Sequence, residues 1–170
     1  MTISDPKALS LFQRILLSTD GTVTDLISLY TGEGIRVKKL VQEIRLGEAP
    51  AMLTCSGATR LLDRKILLAG PEQNYLYADS VFVFERFSTS IQQQLLNTDR
   101  PIGLMWKEER LETYREIVDS QVGPAPDVAA HFDLPEGAPF VSRTYLIHQA
   151  GKPLGAITEK WPLAWFRDPR

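Results

Sequence analysis

The chain reads as an α+β domain: a central, mostly antiparallel sheet flanked by helices. Three observations predict this. Segments with alternating or β-branched patterning outnumber those with helical spacing. Most of them are joined by hairpins or irregular loops rather than by regular crossover helices, which argues against a doubly wound parallel sheet. The 170 residues are 44% hydrophobic and 24% charged, enough for one core with an enclosed pocket, so residues 1–170 are read as one domain.

In chain order, Leu9, Phe12, Ile15 and Leu16 have helical spacing over 9–17, after a start at Asp5-Pro6. Asp20-Gly21 breaks that helix. A second runs from Thr22 through Leu26, Ile27 and Tyr30 to a stop at Gly32 and Gly34. Residues 35–46 form a strand. Residues 60–68 and 75–84 form a strand pair around the turn 69–74. Phe87, Ile91, Leu95 and Leu96 share one face of a helix over 87–96. Arg100-Pro101-Ile102-Gly103 is a break returning the chain to the sheet, with a further strand over 111–118. A short helix over 127–132 and a turn at 134–137 lead to the final hairpin. Its strands cover 141–149 and 154–161, joined by Ala150-Gly151-Lys152-Pro153.

Composition excludes several function classes. The formal net charge is −2, so no basic field suggests nucleic acid, and Arg36, Lys38 and Lys39 read as the solvated side of a strand. Cys55 is the only cysteine, which excludes an intrachain disulfide and a cysteine metal cluster. The N-terminal residues lack the basic start and apolar run of a signal peptide, and no stretch approaches the ~20 apolar residues of a membrane span. A cytoplasmic location is expected. His131 and His148 lie in no metal-ligand spacing and read as surface residues. Phosphate-binding loops, dinucleotide fingerprints and the serine-hydrolase elbow are all missing.

Two charges remain. Along a strand, Ile157, Glu159 and Trp161 point the same way, so Glu159 shares a face with large apolar neighbours. Arg64 is likewise in phase with Leu62, Ile66 and Leu68. A buried charge requires a partner. Either the two neutralise each other, as a buried ion pair would, or both face a polar, anionic ligand. In the second case the guanidinium fork suits a planar carboxylate, a backbone N–H at Ile102-Gly103 completes the clamp, and the carboxylate accepts a hydroxyl or moves a proton.

The same residues carry a family resemblance. The segment Asp63-Arg64-Lys65-Ile66-Leu67-Leu68-Ala69 with the strand after it resembles the Arg-Glu-Ile/Val-Leu-Leu hairpin of chorismate pyruvate-lyases. Arg100-Pro101-Ile102-Gly103 is similar to their Thr-Pro-Leu-Gly segment. Ser142-Arg143, Gly151-Lys152-Pro153-Leu154 and Glu159 before Trp161-Pro162 resemble their final hairpin. Leu16-Leu17-Ser18-Thr19-Asp20-Gly21-Thr22-Val23-Thr24 is similar to their opening motif. The match runs in order from about residue 10 to 162.

That resemblance implies a chorismate-lyase-like fold and cleavage of chorismate to 4-hydroxybenzoate and pyruvate, with no metal or organic cofactor. It also implies a place in quinone or other aromatic biosynthesis. By the family pattern Arg64 holds the ring carboxylate with backbone help from Ile102 and Val23, and Glu159 binds the 4-hydroxyl. Arg64 and Glu159 are the implied catalytic pair, and Arg143 is a further candidate for substrate binding. The chain departs from the pattern at Asp79-Ser80, where many members have an arginine before Ser or Thr, and at Phe84, where they have proline. A pocket-facing Asp79 would repel a dianionic substrate, with Arg143 or Arg60 available to compensate.

The alternative is a non-catalytic module that senses or binds an aromatic acid, since effector domains of certain bacterial transcription regulators share the fold. Those follow a winged helix-turn-helix, and the stretch ahead of the strand at 35–46 is shorter than that unit.

Overall fold

Six strands form one fully antiparallel sheet in the order β1-β2-β3-β6-β5-β4 in the computed structural model, which describes residues 5–98, 100 and 102–168. The strands are β1 (Arg36–Gly47), β2 (Thr59–Ala69), β3 (Asn74–Val83), β4 (Tyr114–Pro124), β5 (Pro139–Gln149) and β6 (Lys152–Pro162). The α-helices are α1 (Leu11–Ser18), α2 (Val23–Thr31), α3 (Thr89–Asn97), α4 (Ile102–Glu108) and α5 (Pro126–Ala129). This is the α+β architecture expected from the sequence. No described helix is long and apolar enough to cross a membrane.

Strand alternation divides the sheet into two faces. Leu62, Leu68, Leu76, Phe82, Val141, Ile147, Ile157 and Trp161 point to the face covered by α1–α4 and join the main core with Phe12, Leu16, Ile27, Ile91 and Trp106. Among the described residues, two smaller clusters cover the ends of the opposite face. Ala125, Val128 and Phe132 pack on Leu67, Tyr77 and Phe140 at one end, and Leu53 packs on Leu61, Val83 and Leu146 at the other. Between them Lys65 and Asp79 stay in solvent, 4.0 Å apart.

Local chemistry sets several boundaries. Helix α1 starts at Ser10 rather than at Asp5-Pro6, because Ser10 and Gln13 form a reciprocal capping box. Buried Gln13 also donates to the carbonyls of Leu163 and Trp165, which fastens α1 to the C-terminal segment. The final hairpin turns on two residues, not four. Ala150 and Gly151 both have positive φ (51° and 76°), the two-residue geometry that matches strand twist. A register shift at Ile147/His148 follows. Gly155 lets β6 approach β3: an added Cβ would lie 2.3 Å from the Phe82 ring.

Two expectations need correction. Residues 102 and 103 do not return the chain to the sheet as a break. They open α4, with Gly103 in a first turn whose N–H groups have no intrahelical partners. The strand expected over 111–118 is β4, three residues later at its start and six at its end.

Candidate active site

Reading across the sheet, the register sets side chains on the helix-covered face row by row, and a cavity lies over part of these rows. One row is Ile66, Ala78, Glu159 and Arg143, and the next is Arg64, Ser80, Ile157 and Tyr145. A third is Leu62, Phe82, Gly155, Ile147 and Arg115. Above these rows sit the starts of α2 and α4. The cavity holds about 90 Å³ open to the centres of water-sized molecules, several times the space one water requires. Its walls are largely apolar, with Val37, Leu68, Leu76, Phe82, Trp106 and Ile157 among them.

Arg64, Val23, Ile102 and Glu159 all line this cavity, so the structure brings four of the five site candidates together. Arg64 is 3% exposed and its Nη2 donates to the carbonyl of Arg100 at 3.4 Å. Val23 is the first residue of α2, whose N-cap Thr22 makes no side-chain cap, and Ile102 is the first residue of α4. Both helix starts carry backbone N–H groups without intrahelical acceptors, and partial positive charge, at the cavity wall.

Glu159 does not pair with Arg64. Two strand spacings and one row separate them, and the partner is Arg143 directly opposite on β5. Arg143 Nη2 donates to Glu159 Oε1 at 3.1 Å, with the side chains 0% and 5% exposed. The same guanidinium donates to the Thr19 carbonyl at 3.0 Å and lies 4.7 Å from the centre of the Tyr145 ring. Arg143 is thus not itself a cavity-lining group. It stands behind Glu159 and holds it.

Tyr145 and Arg115 are cavity residues that the sequence pattern did not single out. Burial first, then the nearby Glu159 charge, pushes the pKa of the Tyr145 phenol well above the usual tyrosine value. The phenol is therefore neutral near neutral pH. Arg115 reaches in from β4, where its Nη1 donates to the carbonyls of Asp20 and Gly21. It also lies 5.5 Å from the Tyr145 ring centre.

Asp79 falls outside the site. Its neighbours Ala78 and Ser80 line the cavity, so alternation puts Asp79 on the opposite face beside Lys65. It repels nothing in the pocket. Arg60 is not a cavity group either: it lies over the Phe84 ring and 3.7 Å from Glu85. His148 pairs with Glu116 at 2.8 Å and His131 stacks on Tyr77. Among the described residues no group of three or more His, Cys, Asp or Glu side chains could hold a metal ion.

A family model described as "Chorismate pyruvate-lyase Rv2949c-like" matches residues 17–167. The chain belongs to that family. It is 33% identical over 162 residues to the chorismate pyruvate-lyase of Mycobacterium leprae, covering 91% of this chain and 76% of the relative. It is 28% identical over 163 residues to the enzyme of the same name from Mycobacterium tuberculosis, covering 91% and 81%. Among solved structures, the effector domain of PhnF from Mycobacterium smegmatis superposes with a TM-score of 0.66 over 85% of this chain and 90% of that one. Its 10% identity marks a shared fold.

Proposed function

We propose that this chorismate pyruvate-lyase family member cleaves chorismate to 4-hydroxybenzoate and pyruvate, supplying a quinone or other aromatic biosynthetic route. The observation that carries the reading is the layout of polar groups in a mostly apolar cavity. A guanidinium and two helix starts lie at one position, and a buttressed carboxylate lies one row away across the sheet. A para-substituted aromatic acid presents the complementary pattern, with an acceptor-rich carboxylate at one end and a hydroxyl donor at the other.

In this reading Arg64 grips the ring carboxylate with help from the backbone N–H groups of Val23 and Ile102. Glu159 accepts the hydrogen bond of the 4-hydroxyl. The ether bond between ring carbon 3 and the enolpyruvyl oxygen breaks, and carbon 4 loses its hydrogen as the ring aromatises. That hydrogen ends on the enolpyruvyl methylene, which becomes the methyl of pyruvate. Aromatisation supplies the driving force, so the reading assigns no step to a metal or organic cofactor. The protein contributes positioning and charge stabilisation of the departing oxygen. Donation from Arg143 to Glu159 favours an orienting role for that carboxylate over proton abstraction, and a direct shift of hydrogen from carbon 4 to the methylene carbon requires no base.

Purified protein incubated with chorismate should release 4-hydroxybenzoate and pyruvate in equal amounts. Tight binding of 4-hydroxybenzoate with no pyruvate above the spontaneous rate would instead favour a sensor of aromatic acids on the same fold.

A further inference from the structure

The proposed contacts leave one cavity cation unused. Arg64, Val23 and Ile102 serve one carboxylate and Glu159 serves the hydroxyl, which leaves Arg115. Its side chain sits in the row of Phe82, Gly155 and Ile147. Arg64 rises from β2 and Arg115 from β4, four strand spacings or roughly 19 Å apart at the backbone. The two side chains therefore reach the cavity on one face of the sheet from strands four apart.

The state of the Arg115 head group is informative. Nη1 is committed to the carbonyls of Asp20 and Gly21, which fixes the plane of the guanidinium. Nε is buried and has no hydrogen-bond partner. The indole Nε1 of Trp106, also in the cavity wall, is in the same condition. A buried N–H without an acceptor costs about 1–3 kcal/mol, and an occupant that supplies acceptors to two residues lining one cavity would offset that cost.

We infer that Arg115 is the contact for a second carboxylate, so that the site selects aromatic or cyclohexadiene dicarboxylates over monocarboxylates. Resting on the reading above, this assigns the ring carboxylate to Arg64 and the side-chain carboxylate of the enolpyruvyl ether to Arg115. The consequence is an asymmetry between substrate and product. Once the side chain has left as pyruvate, 4-hydroxybenzoate has no group to give Arg115.

The test uses two ligands that do not react. One is 3-(1-carboxyethoxy)-4-hydroxybenzoate, a saturated ether bearing both carboxylates, and the other is 4-hydroxybenzoate. Both are titrated calorimetrically into wild type, Arg115→Gln and Arg115→Lys. Arg115→Gln should weaken the dicarboxylate roughly ten- to a hundredfold, the loss of a charge-assisted contact, and shift 4-hydroxybenzoate less than about twofold. Arg115→Lys should fall between, keeping charge without the fork. Should Arg115→Gln fail to fold because it loses the loop carbonyls, the Arg115→Lys ratio decides alone. Equal weakening of both ligands would reduce Arg115 to a brace for the α1–α2 turn and overturn the inference, as would unchanged dicarboxylate affinity. A selective loss in the Arg115 variants, together with a wild type that does not cleave chorismate, would sink the proposed activity and leave the subsite standing.

Discussion

Replacing Glu159 by glutamine removes the charge opposite Arg143 while keeping the side chain's size. The pair is 3.1 Å apart and both side chains are excluded from water. Breaking such a pair by removing one charge costs about 3–5 kcal/mol, because the remaining ion is buried uncompensated. The lower end applies here. Arg143 retains the Thr19 carbonyl at 3.0 Å and the Tyr145 ring, and the amide oxygen of glutamine still accepts a hydrogen bond. A loss of about 3 kcal/mol with a urea slope of about 2–3 kcal/mol/M moves the unfolding midpoint down by about 1–1.5 M. Urea unfolding of ligand-free protein measures the shift, beside chorismate turnover under native conditions. The double variant Arg143→Met/Glu159→Leu should recover most of the stability, since apolar replacement of a buried ion pair is often neutral or better, yet remain inactive. A Glu159→Gln midpoint within about 0.3 M of wild type would refute this, since it lies far inside the expected shift.

Three more outcomes can be measured. Arg64→Lys keeps the charge but loses the planar fork, so 4-hydroxybenzoate should bind more weakly by about 1.5–3 kcal/mol in a folded protein; calorimetric titration checks it, and unchanged affinity would remove Arg64 from the site. Asp79→Asn should leave the KM for chorismate unchanged because Asp79 lies on the far face of the sheet, and a several-fold drop in KM would contradict that placement. Burial, then the charge of Asp79, pushes Tyr77 up to about 12, and Tyr145 is raised in the same direction. The stability these phenols confer is intact below the unfolded value of about 10 and declines as pH rises toward and past 12. Thermal midpoints from pH 8 to 12 should therefore fall above 10, less steeply in Tyr77→Phe.

Arg64 and Glu159 were legible in the sequence because their strands are buried on the helix-covered face, where a charge among in-phase leucines and isoleucines stands out. Arg115 was not. It lies on edge strand β4, where Ile117 and Val118 are exposed and no period-two burial marks a face. Tyr145 is one aromatic in an apolar strand and gives no polar signal until Glu159 is placed beside it. The Arg143–Glu159 pairing depends on register. Gln149 pairs with Lys152 across the two-residue turn, and only the shift at Ile147/His148 brings Arg143 opposite Glu159. One residue either way would turn one of the two side chains to the other face. Turn type and bulge, not strand pattern, decided the partner.

The structural and functional explanations of Glu159 are not rivals. A lone carboxylate on an apolar sheet face would be free to rotate, or to take up a proton and lose its charge. Arg143 donates to it from the neighbouring strand, and Arg143 is in turn held by the Thr19 carbonyl. That carbonyl belongs to the same α1–α2 turn whose Asp20 and Gly21 hold Arg115, and the turn leads directly into Val23. One short connection thus braces an arginine behind Glu159, an arginine in the cavity wall and a helix start at the cavity. A buried ion pair contributes little net stability compared with an apolar pair of the same size. Its effect here is to fix where the carboxylate points before ligand arrives, which is the condition for recognition by preorganised dipoles. Loosening the turn should therefore disturb both ends of the ligand together, whereas changing Arg115 alone should disturb only the end that bears the second carboxylate.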